Sequence, residues 1–227
     1  MTIYYQDDHV TLYHGDCREI TEWAECADLL VTDPPYGRAW RQGRLSAARN
    51  ADDSRPGIAG DTDTSARDDA LTLWGNNRPA VVFGDLMLPP HPTARHVLIY
   101  AKPADAGIRG AVGGYRRDAE AIYLLGKGWG SGIGGRSSIL RTNAAVIGNP
   151  YGVVASAGGH PHTKPGDIMA TLIDNAPPGT IADPFTGSWS TLVAAKHAGR
   201  RAVGVEIEER YCEMAARRLA QDVLTFG

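Results

Sequence analysis

A doubly wound α/β sheet is the fold this sequence predicts, and three observations carry it. Short β-rich runs recur along the chain, most of them followed by a loop or a helical pattern. The runs are largely apolar rather than strictly alternating, which suits strands covered on both faces. Strands and helical segments then alternate, the order of a mostly parallel sheet with helices on either side. At 227 residues the chain is long enough for one such domain with a good core.

Taken in order, the expected strands are Val10–His14, Asp28–Asp33, Pro79–Gly84, His96–Ala101, Ala119–Leu125, Thr180–Phe185 and Arg201–Ile207. Expected helices are Ser65–Leu73, Pro165–Asn175, Ser190–His197 and Glu208–Asp222. The last is the clearest, because Tyr211, Met214, Ala215, Leu219 and Val223 recur at helical spacing behind an acidic first turn. Two stretches break the alternation. Residues 38–63 are polar and carry Arg38, Arg41, Arg44, Arg49 and Arg55, and residues 127–159 are rich in Gly, Ser and Asn, with Arg136 and Arg141. Both read as loop inserts on a single domain spanning 1–227.

Composition narrows the class. The net charge of −3 gives no bulk signal for a nucleic-acid binder, so any cationic surface must be local. No apolar stretch is long enough to span a bilayer, and "MTIYYQDDHV" lacks the pattern of a secretory signal. The three cysteines (Cys17, Cys26, Cys212) make neither CxxC nor a zinc spacing, which fits a reducing, cytoplasmic setting. His160 and His162 flank a proline, and no carboxylate or cysteine completes a metal set with them at short spacing, so no metal is expected.

Two segments carry the chemistry. In "DLLVTDPPYG" an apolar strand stops at Asp33, Pro34, Pro35, Tyr36 and Gly37, and two prolines hold the following loop stiff. In "TIADPFTGSWSTLVAAKHAGRRAVGVEI" a strand, a small-residue turn, a helix and a second strand follow one another. That order suits a nucleotide-like cofactor at the carboxyl end of a parallel strand, with helix N–H groups aimed at a carboxylate. Glu206 closes the second strand, 23 positions beyond Asp183, where an acid can take both hydroxyls of a ribose. A dehydrogenase also wants a glycine loop and a later acid, but this loop is not G-x-G-x-x-G.

With "HPHTKPGDIMATLI" between them, these segments resemble the amino-methylating DNA methyltransferase family, in its permuted beta-class arrangement with the catalytic motif ahead of the cofactor motif. The resemblance implies a Rossmann-like methyltransferase with a mostly parallel seven-stranded sheet and S-adenosylmethionine as cofactor. It implies transfer of the cofactor's methyl group to the exocyclic N6 of an adenine flipped out of a short duplex site. N4-cytosine is the near alternative, and a catalytically weak relative that binds DNA or cofactor is another. Asp33, Pro34, Pro35 and Tyr36 match the catalytic tetrapeptide; Asp183, Pro184, Phe185, Gly187, Ser188, Ser190 and Thr191 match the cofactor loop. Glu206 matches the ribose-holding acid, Asp16 and Cys17 the adenine contact, and His160, Thr163 and Lys164 the segment at the methionine end, where Asp33 also meets the sulfonium. Double-stranded DNA is the implied partner, with inserts 38–63 and 127–159 as candidate DNA-contacting or target-recognition segments, and a membrane is not; a homodimer and a cognate restriction endonuclease are compatible with the family. One position departs: where the family's loop usually reads G-S-G, the third residue here is Trp189. A side chain of that size is expected either to cover the pocket or to pack as an anchor.

Overall fold

The computed structural model describes residues 2–39, 59–102, 112–130, 135–142, 163–187 and 189–221. Arg41, Arg44, Arg49, Arg55, His160, His162 and Ser188 lie outside these residues. Along the chain the elements are β1 (Thr2–Gln6), β2 (Val10–His14), α1 (Glu22–Cys26), β3 (Leu29–Thr32), α2 (Ser65–Trp74), β4 (Ala80–Gly84), β5 (Ala94–Ala101), β6 (Ala119–Leu125) and β7 (Ile139–Arg141). They continue with α3 (Gly166–Asp174), β8 (Ile181–Asp183), α4 (Ser190–His197), β9 (Ala202–Glu206) and α5 (Glu209–Gln221).

All the strands join one sheet in the order β1-β2-β9-β8-β3-β4-β6-β5-β7. The run from β2 to β4 is parallel throughout. β6 is antiparallel to both its neighbours, and β1 is antiparallel to β2. The central strands' side chains divide between two apolar layers. Leu29, Val31, Val81, Phe83 and Ile181 pack with residues of α3, α4 and α5, among them Ile168, Leu192 and Leu219. Leu30, Val82, Ala182, Val203 and Val205 pack on the other face with Trp23 of α1 and Leu71 and Trp74 of α2. Strands buried on both faces explain why the sequence shows continuous apolar runs there.

The sheet has nine strands among the described residues, where seven were expected. The two additions are edge strands. β1 is largely exposed, so it has no apolar run to announce it; Asp7 Oδ1 accepts from the backbone N–H groups of His9 and Val10 and turns it back onto β2. β7 is three residues long and falls inside the stretch expected to be a loop insert, so residues 127–159 are not wholly an insert. Helix α1, also unexpected, is too short for periodicity to show; Trp23 fixes it by donating its indole N–H to the Cys17 carbonyl at 2.9 Å.

From β8 the chain passes through α4 to β9 on one side. From β3 it passes through α2 to β4 on the other. The crevice at the carboxyl ends of β8 and β3 is therefore a topological switch point, where open α/β sheets bind ligands. Gly204 lets the turn above it close: a Cβ there would stand 2.4 Å from Thr186 Oγ1 and 2.8 Å from a Leu192 methyl.

Candidate active site

Asp33 is the first residue beyond β3, at the mouth of that crevice. Its Oδ1 accepts from the Tyr36 hydroxyl at 2.5 Å, and its Oδ2 pairs with Lys164 Nζ at 2.7 Å. Pro34 is buried and Pro35 half-buried, so the tetrapeptide is held from beneath as well as by its rings. Burial, then the Asp33 charge, pushes the Tyr36 phenol well above its ordinary 10.0, so it remains a donor to Asp33.

Lys164 is only 7% exposed. It also pairs with Glu120 at 3.1 Å, and Glu120 with Lys102 at 2.6 Å, so a chain of alternating charges runs Asp33–Lys164–Glu120–Lys102. Burial alone lowers a lysine's pKa, but Asp33 and Glu120 outweigh it and hold Lys164 above its ordinary value. Burial likewise favours a neutral Glu120, yet Lys164 and Lys102 keep it below the ordinary carboxylate value. The Lys164 ammonium also sits 4.9 Å from the Phe83 ring centroid. Burying these charges is tolerable only because each has a partner.

A second clamp holds the loop that leaves the tetrapeptide. Gly37 adopts φ 70, and its N–H donates to Asp61 Oδ1 at 2.8 Å. The Arg38 N–H reaches the same oxygen at 3.3 Å, and the Ala39 N–H donates to the Asp61 carbonyl at 2.5 Å. The Arg38 side chain turns to Asp85 at 2.7 Å. Neither Asp61 nor Glu120 stood out in the sequence. Glu120 carried a readable signal, an acid inside the apolar strand "AEAIYLL"; Asp61 carried none.

The cofactor-loop residues gather at the ends of β8 and β9. Asp183 is buried, and its carboxylate is already engaged: Oδ1 accepts from the Thr32 hydroxyl at 2.8 Å and the Phe185 N–H at 3.1 Å, and the Thr191 hydroxyl also bonds it. It ties β8 to β3 and to the start of α4. Pro184 is buried, and Phe185 packs against the core layer under α1 and α2. Glu206 accepts from the Gly187 N–H at 2.7 Å and the Glu208 N–H at 2.8 Å. Ser190 Oγ donates to the Lys164 carbonyl at 3.1 Å, joining the loop to the segment that ends in Thr163 and Lys164. Burial raises both Asp183 and Glu206 to about 6.

Trp189 takes the left-handed conformation at φ 57, the backbone a glycine would supply. Its side chain is 6% exposed and belongs to the core layer with α3 and α4. The side chain thus lies in the core instead of covering the crevice.

Gly15 and Asp16 follow β2 beside Glu206, whose carbonyl accepts from the Gly15 N–H at 2.9 Å. Asp16 forms a close pair with Arg18, which lowers its pKa, and Cys17 is buried, its thiol pushed up to about 12 by desolvation. Arg141 ends β7, and Arg136 precedes that strand's amino end, so the two do not stand at one edge.

The set Asp16, Asp33, Asp183 and Glu206 surrounds the crevice, with Lys164 and Arg18 as the cations bonded to it. Asp33 raises Asp183, and Asp183 raises Glu206, so these acids share one field. Four carboxylates against two cations, with Asp183 and Glu206 buried, suit a ligand that carries positive charge and hydroxyl donors.

Known proteins agree with this geometry. The DNA methylase family profile matches residues 129–217. The chain is 31% identical over 215 residues to the putative methylase YubD of Escherichia coli (strain K12), covering 91% of this chain and 88% of that protein. A shorter match, 40% over 65 residues, links it to the type II methyltransferase M2.DpnII of Streptococcus pneumoniae, of which it covers 24%. Among solved structures, the M1.HpyAVI–SAM complex superposes with TM-score 0.58 at 19% identity, over 92% of this chain and 99% of that one. The cytosine-N4-specific PvuII DNA methyltransferase superposes with TM-score 0.61 at 14% identity, over 95% and 88%. With a relative matched along nearly its whole length and the switch-point crevice built as described, this chain belongs to the amino-methylating DNA methylase family.

Proposed function

We propose that this protein methylates the N6 amino group of an adenine extruded from a short duplex DNA site, with Asp33, Pro34 and Tyr36 as the groups that meet the base. The family's cofactor is S-adenosylmethionine, which supplies an electrophilic methyl on a sulfonium. The observation that carries the proposal is Asp33 at the carboxyl end of β3, fixed by Tyr36 and Lys164. An exocyclic amine is a poor nucleophile because its lone pair is delocalised into the ring. The Asp33 carboxylate and the Pro34 carbonyl are suited to accept its two N–H bonds and to stabilise the charge that develops on nitrogen. Each Asp33 oxygen bonded here retains a second acceptor position. The Tyr36 ring offers a stacking face to the flipped base, and its hydroxyl bond keeps that ring from swinging.

Glu206 is assigned to the ribose hydroxyls, and the Asp16–Cys17 turn to the adenine of the cofactor. N4-cytosine remains the second target, favoured by the likeness to the cytosine-N4-specific PvuII enzyme. Work in the cytoplasm, with or without a cognate restriction endonuclease, follows the same assignment. Expression in a host without DNA methylation, followed by sequencing for modified bases, tests it directly. N6-methyladenine at a defined short site is the expected result; N4-methylcytosine moves the target to cytosine, and unmodified DNA removes the activity.

The acids give a pH prediction. A cation bound beside Asp183 and Glu206 favours their ionised forms. Affinity for S-adenosylmethionine should therefore rise as pH climbs to about 6, and level off above it. Stability of the free protein runs the other way. Folding holds the protons of these two groups, so it loses stability between their ordinary 3.8 and 4.5 and about 6, then no further. Calorimetric titrations from pH 5 to 8 check the first trend, and a flat affinity would contradict it.

A further inference from the structure

Every residue from Val112 to Asp118 is exposed, Tyr115 by 82% and Val112 by 68%. This is not slack chain. Val112 and Tyr115 exchange both backbone hydrogen bonds, at 2.9 and 3.0 Å, around Gly113 and Gly114. Those glycines have φ of 59 and 83, the signature of a tight two-residue hairpin turn. The residues that close such a turn stand side by side on one face. A rigid turn thus presents an aromatic and an aliphatic side chain to solvent, and neither contributes to the core.

Arg116 and Arg117 come next, and neither forms an ion pair among the described residues. The sheet fixes where this group lies. β6 is antiparallel to β4 and β5, with Ala121 opposite Gly84 and Ala119 opposite Ala101. Its amino end therefore stands at the carboxyl ends of those strands, the edge that also carries Asp33. The field of Arg117 reaches Asp85, the carboxylate that holds Arg38 of the loop after the tetrapeptide. β6 is two strands from β3, about 10 Å at normal strand spacing, which is about three nucleotides' rise on one DNA strand. Arg141 ends β7 at the same edge, opposite Ala101, and Met87, 77% exposed, follows β4 there. In a chain of net charge −3, arginines that form no ion pair among the described residues, gathered beside exposed apolar side chains at the catalytic edge, are a local exception.

We propose that the Val112–Arg117 turn is a DNA-contacting element. Arg116 and Arg117 take phosphates near the target nucleotide, and Tyr115 packs on the bases beside the gap that the extruded base leaves. This rests on the DNA methyltransferase assignment above, and it adds a contact surface outside the two arginine-bearing segments that the sequence suggested. Duplex DNA is the occupant because the patch joins exposed cations to an aromatic platform, the pairing that phosphate and base require.

The test uses the full chain with the demethylated cofactor product. Binding to a labelled duplex carrying the methylated site is followed by fluorescence anisotropy from 50 to 200 mM salt, conditions that resolve phosphate contacts. Replacing Arg116 and Arg117 together by Ala should flatten the slope of log K against log salt by about 1.8, roughly 0.9 per phosphate contact. Tyr115→Ala should weaken binding about tenfold with the salt slope unchanged, as loss of a stacking contact does. Thermal melts should match wild type, since these side chains are exposed. Wild-type slopes and affinities in both variants, while the wild-type protein methylates the same duplex, would overturn the contact and leave the activity standing. Sedimentation separates the other occupant: a dimer that Tyr115→Ala turns to monomer, with DNA affinity unchanged, would assign the turn to a second copy and overturn the proposal. Wild-type protein that neither binds nor methylates duplex DNA would overturn the assignment beneath it.

Discussion

Asp33→Ala is expected to lower kcat by about 10²–10³ or more while leaving cofactor binding and the fold nearly intact. The carboxylate acts on charge that appears as the target nitrogen turns tetrahedral, so its loss belongs in kcat rather than in ground-state affinity. The structure adds a reason the fold should persist. Lys164 loses one partner but keeps Glu120 at 3.1 Å, so no buried cation is stranded. Tyr36→Ala should behave differently. It removes a stacking face worth roughly 1–3 kcal/mol per base, so a duplex with a mismatched, already loosened target base should recover part of the rate. The same mismatch should not rescue Asp33→Ala, because loosening the base does not replace a carboxylate. Tritiated methyl transfer onto matched and mismatched duplexes measures both variants. Wild-type activity in Asp33→Ala would remove this mechanism.

What the sequence made legible follows the physics of each signal. The strands buried on both faces were readable because burial demands continuous apolar runs, and β3, β4, β8 and β9 have them. Edge strands face water on one side or are very short, so β1 and β7 gave no such run. The crevice was readable through Asp33 and Asp183, because prolines and small residues interrupt apolar strands there. The groups that hold Asp33 were less so. Lys164 arrived only through resemblance, and Glu120 belongs to a strand far away in sequence. Long-range ion pairs leave no local pattern. Asp183 carries a second job that its motif did not announce: its carboxylate accepts from Thr32, Phe185 and Thr191 and ties two strands and a helix start together.

Trp189 is where local rule and packing conflict most openly, and its replacement separates the two. A left-handed conformation costs a side-chain-bearing residue roughly 1–2 kcal/mol, which glycine avoids. Removing a buried Trp side chain costs about 3–5 kcal/mol as the Ala variant. The packing loss is the larger, so Trp189→Gly should destabilise the protein by about 2–4 kcal/mol, a fall in Tm of roughly 5–15 °C for a chain of this size. Trp189→Ala should be worse by about 1 kcal/mol, because it loses the packing and keeps the left-handed strain. That ranking, glycine above alanine and both below tryptophan, is specific to a buried anchor on a glycine-type backbone. Melts of the three proteins measure it, and titration with S-adenosylmethionine accompanies them. A glycine variant with unchanged Tm and tighter cofactor binding would show that the indole obstructs the crevice. The 6% exposure of Trp189 and its place in the layer beneath α3 and α4 argue for the anchor. By holding the first turn of α4 against the sheet, it keeps the Gly187 N–H on Glu206 and Ser190 on the Lys164 carbonyl, two of the bonds that join the cofactor loop to the rest of the site.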